Sequence, residues 1–448
     1  MFYENLAWFC VLWICVLAAR RLWRATQRPV IVAIPTPQHK PPRPLKPRTP
    51  KGCPVCGRLH PTPLVGNSRK PGVLPWPERK SSRGKPKTIC TAGYACPRPK
   101  CDYFGNTDPT FHALVGDGKR GADSIQGLCC QACGKRFSSR RDTALYRLRT
   151  PVARVALVLL AVNLGLTIAD AQLLFGHSEV TIRLWLSRAG QHAEKMHAHF
   201  FQNLTLGHLQ LDELYTTLRD KAHDLWVWVA FDPATKLIPA LQLGPRTQHM
   251  AYALLHAVSL VLAPGCLPVF TSDGLDLYFY AITAHFGQWI TDVITGKTLW
   301  QVALDLLYGQ VKKSYRRRQL ARVERRMRLG DLSRLTDRLK TLGFSGTLNT
   351  AFVERINLTL RHALAALSRR CWATAQLTGE LLAHLEWWRA YYHFCRPHLS
   401  LRRQFDEPQA RRGQRTSRRY RPRTPAMAAG LTDHIWSVQE LLAFPVGP

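Results

Sequence analysis

Two short apolar runs of this chain each lead into an aspartate, and no other feature constrains the fold more strongly. Residues 209–214 contain Asp212, and residues 268–274 contain Asp273, in both cases after an apolar stretch. This pattern is typical of a carboxylate at the C-terminal tip of a buried strand. Predicted strands and helices alternate over residues 206–300, so the sequence indicates an α/β domain in which both aspartates lie on strand ends.

Three other acidic residues lie near these predicted elements, and each has a simpler structural explanation. Glu213 should face away from Asp212 if its strand continues, because neighbouring strand residues point to opposite faces. Asp232 fits a turn between two strands, and Asp276 fits a helix cap. The other predicted elements are strands at 225–232, 236–243 and 268–272, and helices at 247–262, 275–286 and 381–392.

A third candidate carboxylate, Glu354, lies on a predicted helix over residues 349–361. The helix has an apolar stripe with a spacing of four residues: Phe352, Ile356, Leu360 and Leu364. Glu354 lies off this stripe, and Asn357 and Arg361 follow it at i+3 and i+7, so polar groups line one edge of the helix. A single helical glutamate is most often a solvated side chain. Two strand-end aspartates with one helical glutamate can instead hold two divalent cations ~3.5–4 Å apart and act on a phosphodiester.

The charge of the chain points to a polyanionic partner. The sequence has 63 Lys and Arg against 29 Asp and Glu, a formal charge of +34. Nucleic acid and an anionic membrane are the two candidates, and aromatic residues among the basic ones favour nucleic acid. A basic run at 312–328 predicts a surface that tracks phosphates; its DNA-binding candidates are Lys312, Lys313, Arg316, Arg317 and Arg318. The basic, Pro- and Arg-rich segment 402–423 of the tail is expected to be disordered until DNA binds.

The 13 cysteines predict zinc in a reducing cytoplasm, because this odd number with C-x-x-C spacings does not form a secreted disulfide framework. The strongest set has the spacing of a zinc ribbon: Cys96, Cys101, Cys130 and Cys133. Four thiolates close a tetrahedral site and leave no open position, so this site is structural. Cys129 competes with Cys130 as a ligand, and the C-x-x-C spacing favours Cys130. Cys53 and Cys56 form a second half-site, with His60 and Cys90 as its nearest candidate partners.

The N-terminal segment is strongly apolar. Residues 6–19 are an unbroken apolar run of 14 residues, short of the ~20 that a membrane span needs. A short membrane or interfacial helix and a buried or disordered extension are both compatible with it.

Over residues 150–204, a helix start at Thr150 and caps at Thr167 and Ser178 predict three helices, with the last two in a helix-turn-helix. Its DNA-binding candidates are Thr181, Arg183 and Arg188. An ordinary helical bundle is the alternative.

These motifs together resemble the DDE transposases of bacterial insertion sequences, most nearly the insertion-sequence-one type. The resemblance covers roughly residues 90–403 and depends on the order and spacing of five pieces: 211–214, 226–232, 244–247, 271–274 and 353–361. A C-terminal piece at 391–401 is also similar, although His393 stands where the family has asparagine. The resemblance implies a ribonuclease-H-like catalytic domain, preceded by the zinc ribbon and a helix-turn-helix domain.

The resemblance further implies a transposase that binds element ends, cleaves them and joins them to target DNA. Asp212, Asp273 and Glu354 would bind two Mg²⁺ or Mn²⁺ ions, and Arg355, Asn357 and Arg361 would orient phosphate beside them. A homo-oligomer on DNA and a bacterial, nucleoid-associated, cytoplasmic location are expected with it. The predicted domains are 1–28 (apolar helix), 29–89 (basic Pro-rich linker with the Cys53 half-site), 90–149 (zinc ribbon), 150–204 (helix-turn-helix), 205–401 (catalytic domain with a basic insertion near 301–345) and 402–448 (basic tail); the resemblance bears on those between about 90 and 403.

Two other functions remain open from the sequence. A regulator or a decayed element would keep the zinc and helix-turn-helix modules without catalysis. A structure-selective nuclease would cleave DNA without joining it. A regulator or decayed element would show no DNA cleavage that depends on Mg²⁺ or Mn²⁺, whereas a transposase would. A nuclease would cleave DNA without forming joined products, whereas a transposase would form them.

Overall fold

A small antiparallel sheet is the first element of the part of the chain that the structure describes. The computed structural model of the protein describes residues 93–107, 112–121, 123–220, 222–291, 296–317, 319–368, 374–409 and 417–446. The predictions for residues 1–28 and 29–89, for Cys53 and Cys56 and for Arg318 lie outside these residues. The small sheet has the order β1–β2–β3, with β1 at Leu114–Arg120, β2 at Ile125–Cys130 and β3 at Arg136–Ser138.

Three helices follow: α1 at Val152–Asn163, α2 at Ile168–Phe175 and α3 at Glu179–Phe200. The predicted caps of the second and third helices are confirmed: Thr167 accepts a hydrogen bond from the backbone of Asp170, and Ser178 accepts one from Thr181. The third helix is longer than the sequence predicts because apolar residues continue at helical spacing to Phe200.

A six-stranded mixed sheet is the centre of the fold and confirms the α/β class. Its order is β11–β10–β7–β4–β5–β6. The strands are β4 at His208–Thr217, β5 at Asp224–Phe231, β6 at Ala240–Gly244, β7 at Val269–Asp273, β10 at Tyr308–Arg316 and β11 at Gln319–Leu329. The pairs β4–β7 and β7–β10 are parallel, and the other neighbours are antiparallel. A separate hairpin consists of β8 at Gly287–Thr291 and β9 at Thr298–Val302.

Helices cover both faces of this sheet because its central strands are apolar on both sides. They are α4 at Gln248–Val261, α5 at Leu277–His285, α6 at Leu332–Thr341, α7 at Ala351–Ala363 and α8 at Thr378–Ala390. On β5, Trp228 packs in a core with α4 and α5, whereas Val229 packs in a second core with α7 and α8. The first core also contains α1, α2 and α3, so the predicted helix-turn-helix segment and the sheet share one hydrophobic interior.

The close approach of α3 to α8 depends on one glycine. A Cβ atom at Gly190 would lie 2.3 Å from the backbone oxygen of Ala383, which is far inside van der Waals contact. Since any side chain at this position would separate the helices, glycine lets α3 lie directly against the helix that follows α7 in the chain.

The basic run at 312–328 is not an insertion into the fold, contrary to the prediction for 301–345. Most of it belongs to β10 and β11, which are integral strands of the main sheet. The charged residues hid an alternating pattern in which Val311, Val323 and Met327 turn inward and pack around α6. A strand that is exposed on one face tolerates this charge.

The prediction of disorder over residues 402–423 is also wrong for the described residues 402–409 and 417–423. They contain β12 at Arg403–Gln409 and β13 at Arg418–Arg421, which pair with each other. Composition misled the prediction because the arginine-rich sequence hides this pairing. The rest of the tail forms α9 at Pro425–Ala428 and α10 at Val438–Ala443, and Trp436, Leu441 and Leu442 are almost fully buried in the first core. Among the described residues, no helix combines the length and apolar character that a membrane crossing requires.

Candidate active site

Asp212 and Asp273 lie next to each other at one edge of the main sheet. The pairing of β4 with β7 ends at Leu211 and Ser272, so the two aspartates occupy the next position on adjacent parallel strands. Oxygens of Asp212, Asp273 and Glu213 all lie within 4.8 Å of one another, close enough to share a metal ion. Asp212 is not at a strand tip, because β4 continues to Thr217; it is β7 that ends there.

The electrostatics of this group favour a bound cation. Burial, together with the negative charges of Asp273, Glu213 and Glu354, raises the pKa of Asp212 to about 7. Burial likewise raises the pKa of Asp273, with a contribution from Glu354. Closely spaced, partly desolvated carboxylates repel one another, and a divalent cation removes both costs. The residues present therefore fit a divalent metal site.

Hydrogen bonds hold both aspartates in place. Asn357 on α7 donates its amide to Asp212 Oδ2 at 2.9 Å, and the backbone N–H of Glu213 donates to Asp212 Oδ1 at 2.9 Å. The backbone N–H of Leu275 donates to Asp273 Oδ1 at 3.0 Å. Asn357 was predicted to touch phosphate; in the structure it instead orients a candidate metal ligand.

Glu354 lies in the first turn of α7, on the same side of the sheet as Asp212. Asn357, one turn later on this helix, reaches Asp212, and the helix packs on β4 and β5 through Val353, Ile356 and Leu360. Its carboxylate accepts a hydrogen bond from Thr350 Oγ1 at 2.5 Å and forms an ion pair with Lys313. Glu354 is not part of the group whose oxygens lie within 4.8 Å, although its charge acts on both aspartates.

Glu213 is the member of this cluster that the sequence reasoning left out. It faces the α5 side of β4, as predicted, where Tyr278 donates to its Oε2 at 3.0 Å. Arg246 donates to its Oε1 through Nε at 2.8 Å and Nη2 at 2.5 Å. The Glu213 side chain is only 3% exposed, and the charge of Arg246, which Glu213 binds, partly offsets the rise in the pKa of Asp273. The position of Glu213 directly after Asp212 in the sequence is the local signal that could have identified it.

The predicted DNA-binding residues divide into engaged and exposed groups. Arg183 pairs with Glu380 at 2.6 Å, and Arg188 donates to the backbone oxygen of Tyr146, so both contact other parts of the protein. Thr181 hydrogen-bonds Ser178 at the start of α3. Arg361 donates to backbone oxygens of β4 and of residue 367. The exposed candidates are Lys312, Arg316, Arg317 and Arg355, and Lys313 is half-buried against Glu354.

The four predicted zinc ligands come together in a second, separate cluster. The sulfurs of Cys96, Cys101, Cys130 and Cys133 all lie within 4.8 Å of one another. The pair Cys96–Cys133 is separated by 3.5 Å and the pair Cys101–Cys130 by 3.9 Å. Four sulfurs at ~2.3 Å from a tetrahedral zinc ion are about 3.8 Å apart, so this cluster can hold a metal such as zinc.

The thiol hydrogen bond from Cys96 lowers the pKa of Cys130 to about 5, which favours the thiolate that a metal requires. Cys129 is not part of the cluster, in agreement with the preference for Cys130.

No model of a known protein family matches this chain, and no curated protein matches it.

Proposed function

We propose that this protein is a DNA strand transferase of the DDE transposase type, which binds the ends of a mobile element and inserts them into target DNA. The observation that carries the proposal is the meeting of Asp212 and Asp273 on adjacent strands, with Glu354 on a helix that covers the same face. Two aspartates and a helical glutamate in this order match the sequence resemblance and suit a two-metal phosphodiester site.

The topology of the sheet supports a ribonuclease-H-like catalytic domain. Strands β4, β5 and β6 form an antiparallel meander, and β7 and β10 continue in parallel on the other side of β4. The candidate residues lie on the first strand, the fourth strand and a later helix, as the resemblance implies. The four-cysteine cluster beside a three-stranded sheet supports a zinc ribbon ahead of this domain.

The residues of the site have distinct roles in this proposal. A pair of Mg²⁺ or Mn²⁺ ions, when bound, supplies charge at the phosphodiester and lowers the pKa of the attacking hydroxyl. Asp212 and Asp273 would hold one ion between the two strands, and Glu354 would help to hold the second. Asn357 fixes the rotamer of Asp212, and Glu213 holds Arg246 beside Asp273. Thr350 restrains Glu354.

DNA fits the charge around this site. Lys312, Lys313 and Arg316 lie on β10 beyond the point where it pairs with Asp273, Arg317 follows in the turn, and Arg355 is next to Glu354 in the sequence. Phosphate contacts by lysine and arginine give affinity that depends on salt but not on sequence. Neighbouring bases would have to be recognised by other surfaces, so end recognition is assigned to the segments that precede the sheet.

The test is a cleavage and joining assay with the full chain. A supercoiled plasmid carries the gene with its flanking DNA, and nicked and joined products are separated in the presence of Mg²⁺, Mn²⁺ or EDTA. We expect products only with metal, and Asp212→Asn, Asp273→Asn and Glu354→Gln should each reduce them at least about a thousandfold, equivalent to about 4 kcal/mol. Glu324→Gln is the matched control, because Glu324 lies on β11 among arginines and should retain activity.

Binding of DNA must be measured on the same variants. Each inactive variant should bind a plasmid fragment within about twofold of the wild type, since removing one carboxylate does not remove phosphate contacts. Metal-independent cleavage, or cleavage that persists in both aspartate variants, would disprove the proposed site. Cleavage without joining would identify a nuclease on the same site.

A further inference from the structure

The hairpin formed by β10 and β11 extends beyond the rest of the main sheet at the edge that carries the candidate site. Strand β10 pairs with β7 only up to Val311, opposite Asp273, and then continues to Arg316. The last five residues of β10 pair with β11 alone, from Lys312 opposite Glu324 to Arg316 opposite Gln319. At ~3.3 Å per residue this two-stranded ribbon reaches about 16 Å past the end of β7.

The two faces of this ribbon differ in chemistry. Side chains alternate along a strand, so Tyr315 shares a face with Lys313, the residue that contacts Glu354. Tyr315 lies opposite Leu320, and both are well exposed, at 63% and 54% respectively. The opposite face carries Lys312 and Arg316 from β10, and from β11 it carries Glu324, which pairs with Lys312, and Arg322, which pairs with Ser314. The ribbon therefore presents Tyr315 and Leu320 beyond Lys313 on the face toward the candidate site, and a net positive charge on its other face.

The charge around the apolar pair selects the kind of partner. Within residues 312–322 every charged side chain of defined position is a lysine or an arginine, and Glu324 is the first acidic residue in β11. An exposed tyrosine and leucine within so much positive charge suit a polyanion that also offers flat apolar surfaces. Nucleic-acid bases have this property, whereas a protein partner would need a strongly acidic surface around an apolar patch.

We propose that Tyr315 and Leu320 bind unstacked bases of DNA directly beside the scissile phosphate, so that the substrate of this site is a locally opened duplex. The proposal rests on the proposed function in taking DNA as the partner. Lys313 contacts Glu354, and Tyr315 lies two residues farther along the strand, about 7 Å away. An apolar wedge at this distance would hold open the base step next to the phosphate bound at the carboxylates, while the basic face holds the backbone.

The ribbon is suited to this role by its strand pairing and its size. Nine pairs of residues join β10 to β11, and the first four residues of β10 also pair with β7 in the main sheet. A two-stranded β-ribbon fits the major groove of DNA, and aromatic side chains stack on bases of any identity. The contact therefore adds preference for opened DNA without adding preference for sequence.

The experiment compares two DNA probes of about 40 base pairs without divalent metal, so that no cleavage occurs. One probe is fully paired, and the other has the same sequence with a central three-base mismatch that contains 2-aminopurine. We expect the wild-type full chain to bind the mismatched probe about tenfold more tightly and to quench the 2-aminopurine fluorescence by stacking. The double variant Tyr315→Ala with Leu320→Ala should lose the preference and the quenching, while its affinity for the paired probe stays within about twofold.

Two control variants keep the result interpretable. Tyr315→Phe preserves the ring and should preserve both the preference and the quenching. Tyr280→Ala removes a tyrosine of α5 that is similarly exposed, at 54%, and should change neither measurement. An unchanged affinity for paired DNA shows that the double variant is folded and that its basic face is intact.

The outcomes also separate this inference from the proposed function. Loss of preference in the double variant supports the inference even if the wild type never cleaves DNA, in which case only the proposed catalysis fails. Equal binding of both probes by the wild type, or an unchanged preference in the double variant, overturns it even if the protein is an active transposase. A double variant that keeps the preference but no longer self-associates in sedimentation would make this face a protein interface and also overturns it.

Discussion

The four-cysteine cluster and the carboxylate group are built from metal-ligating side chains, but they differ in how complete they are without a metal. In the cysteine cluster, the sulfurs are already at the spacing of a tetrahedral site, and three of the four cysteines are buried. In the carboxylate group, Asp212 and Asp273 are only partly buried, and cationic side chains contact the neighbouring acids: Arg246 holds Glu213, and Lys313 holds Glu354.

The difference separates a closed set of metal ligands from an open one. Four sulfurs around one ion would leave no position for a further ligand, so a metal bound there would contribute only to folding. The carboxylate group is open to solvent on one side, and its ligands come from two strands and a helix that are held by the hydrophobic cores whether or not a metal is present. Removing a ligand should therefore have opposite consequences for stability at the two sites.

The largest expected effect is at the cysteine cluster. Cys130→Ser removes one of four ligands, and we expect the protein to lose about one bound zinc ion and the protease resistance of residues 93–148. The measurements are metal content by mass spectrometry and the pattern of limited proteolysis. Cys129→Ser is the matched control, since its sulfur lies outside the cluster, and it should retain both. Equal zinc loss in both variants would show that the ligand assignment is wrong.

At the carboxylate group, removing a ligand should stabilise the metal-free protein. The pKa of Asp212 is about 7 in the folded state, against ~3.9 in an unfolded chain. The folded state therefore binds the Asp212 proton more tightly than the unfolded state does. The stabilisation that this proton gives is fully present below the unfolded pKa of ~3.9, and it is lost as the pH rises through the folded pKa of about 7. At pH 8 the buried charge costs up to about 4 kcal/mol. Asp212→Asn should therefore raise the Tm at pH 8, by roughly 5 °C or more.

The pH and the metal both provide controls for this variant. At pH 5 the gain in Tm should be much smaller, because Asp212 of the wild type is then mostly protonated. Saturating Mg²⁺ at pH 8 should also reduce the gain, since the ion stabilises only the charged wild type. The measurement is thermal unfolding followed by circular dichroism, and an equal gain under all three conditions would contradict the electrostatic explanation.

The smallest expected effect concerns the ion pair between Lys313 and Glu354. The Lys313 ammonium forms an ion pair with the Glu354 carboxylate and so competes with a metal cation for it. Lys313→Met should therefore strengthen Mn²⁺ binding. Because the Glu354 side chain is 46% exposed, solvent weakens the pair, and we expect a gain of about two- to fivefold in affinity, measured by electron paramagnetic resonance of free Mn²⁺. Lys312→Met makes the same charge change on the other face of β10. Equal effects of both variants would show that only the total charge matters.

Local patterns predicted several features of the fold well. Capping residues located the starts of α2 and α3, and short apolar runs located β4, β5 and β7. The cysteine spacing identified the four sulfurs that meet. Each of these depends on short-range chemistry, in which the residues that decide the structure lie within one turn, one strand or one metal-binding motif.

Features that depend on distant contacts were predicted poorly. The charge of residues 312–328 concealed two strands, because their stability comes from the pairing of β10 with β7 and from packing on α6. The composition of the tail concealed its docking through Trp436. His393 lies buried between α3 and the segment that precedes β6, where its Nε2 accepts a hydrogen bond from the backbone N–H of Ile238, a structural role that no local pattern indicates.

The sequence by itself determined the residue types of both sites, the excess of positive charge and the α/β class, because these follow from composition and short periodicities. Only the tertiary structure decided that β7 ends beside the midpoint of β4, so that Asp212, Glu213 and Asp273 meet at an open edge. It also decided that Asn357 points to Asp212 and that Lys313 reaches Glu354. The physical reason is that register and helix packing are set by whole cores, to which residues far apart in the chain contribute together.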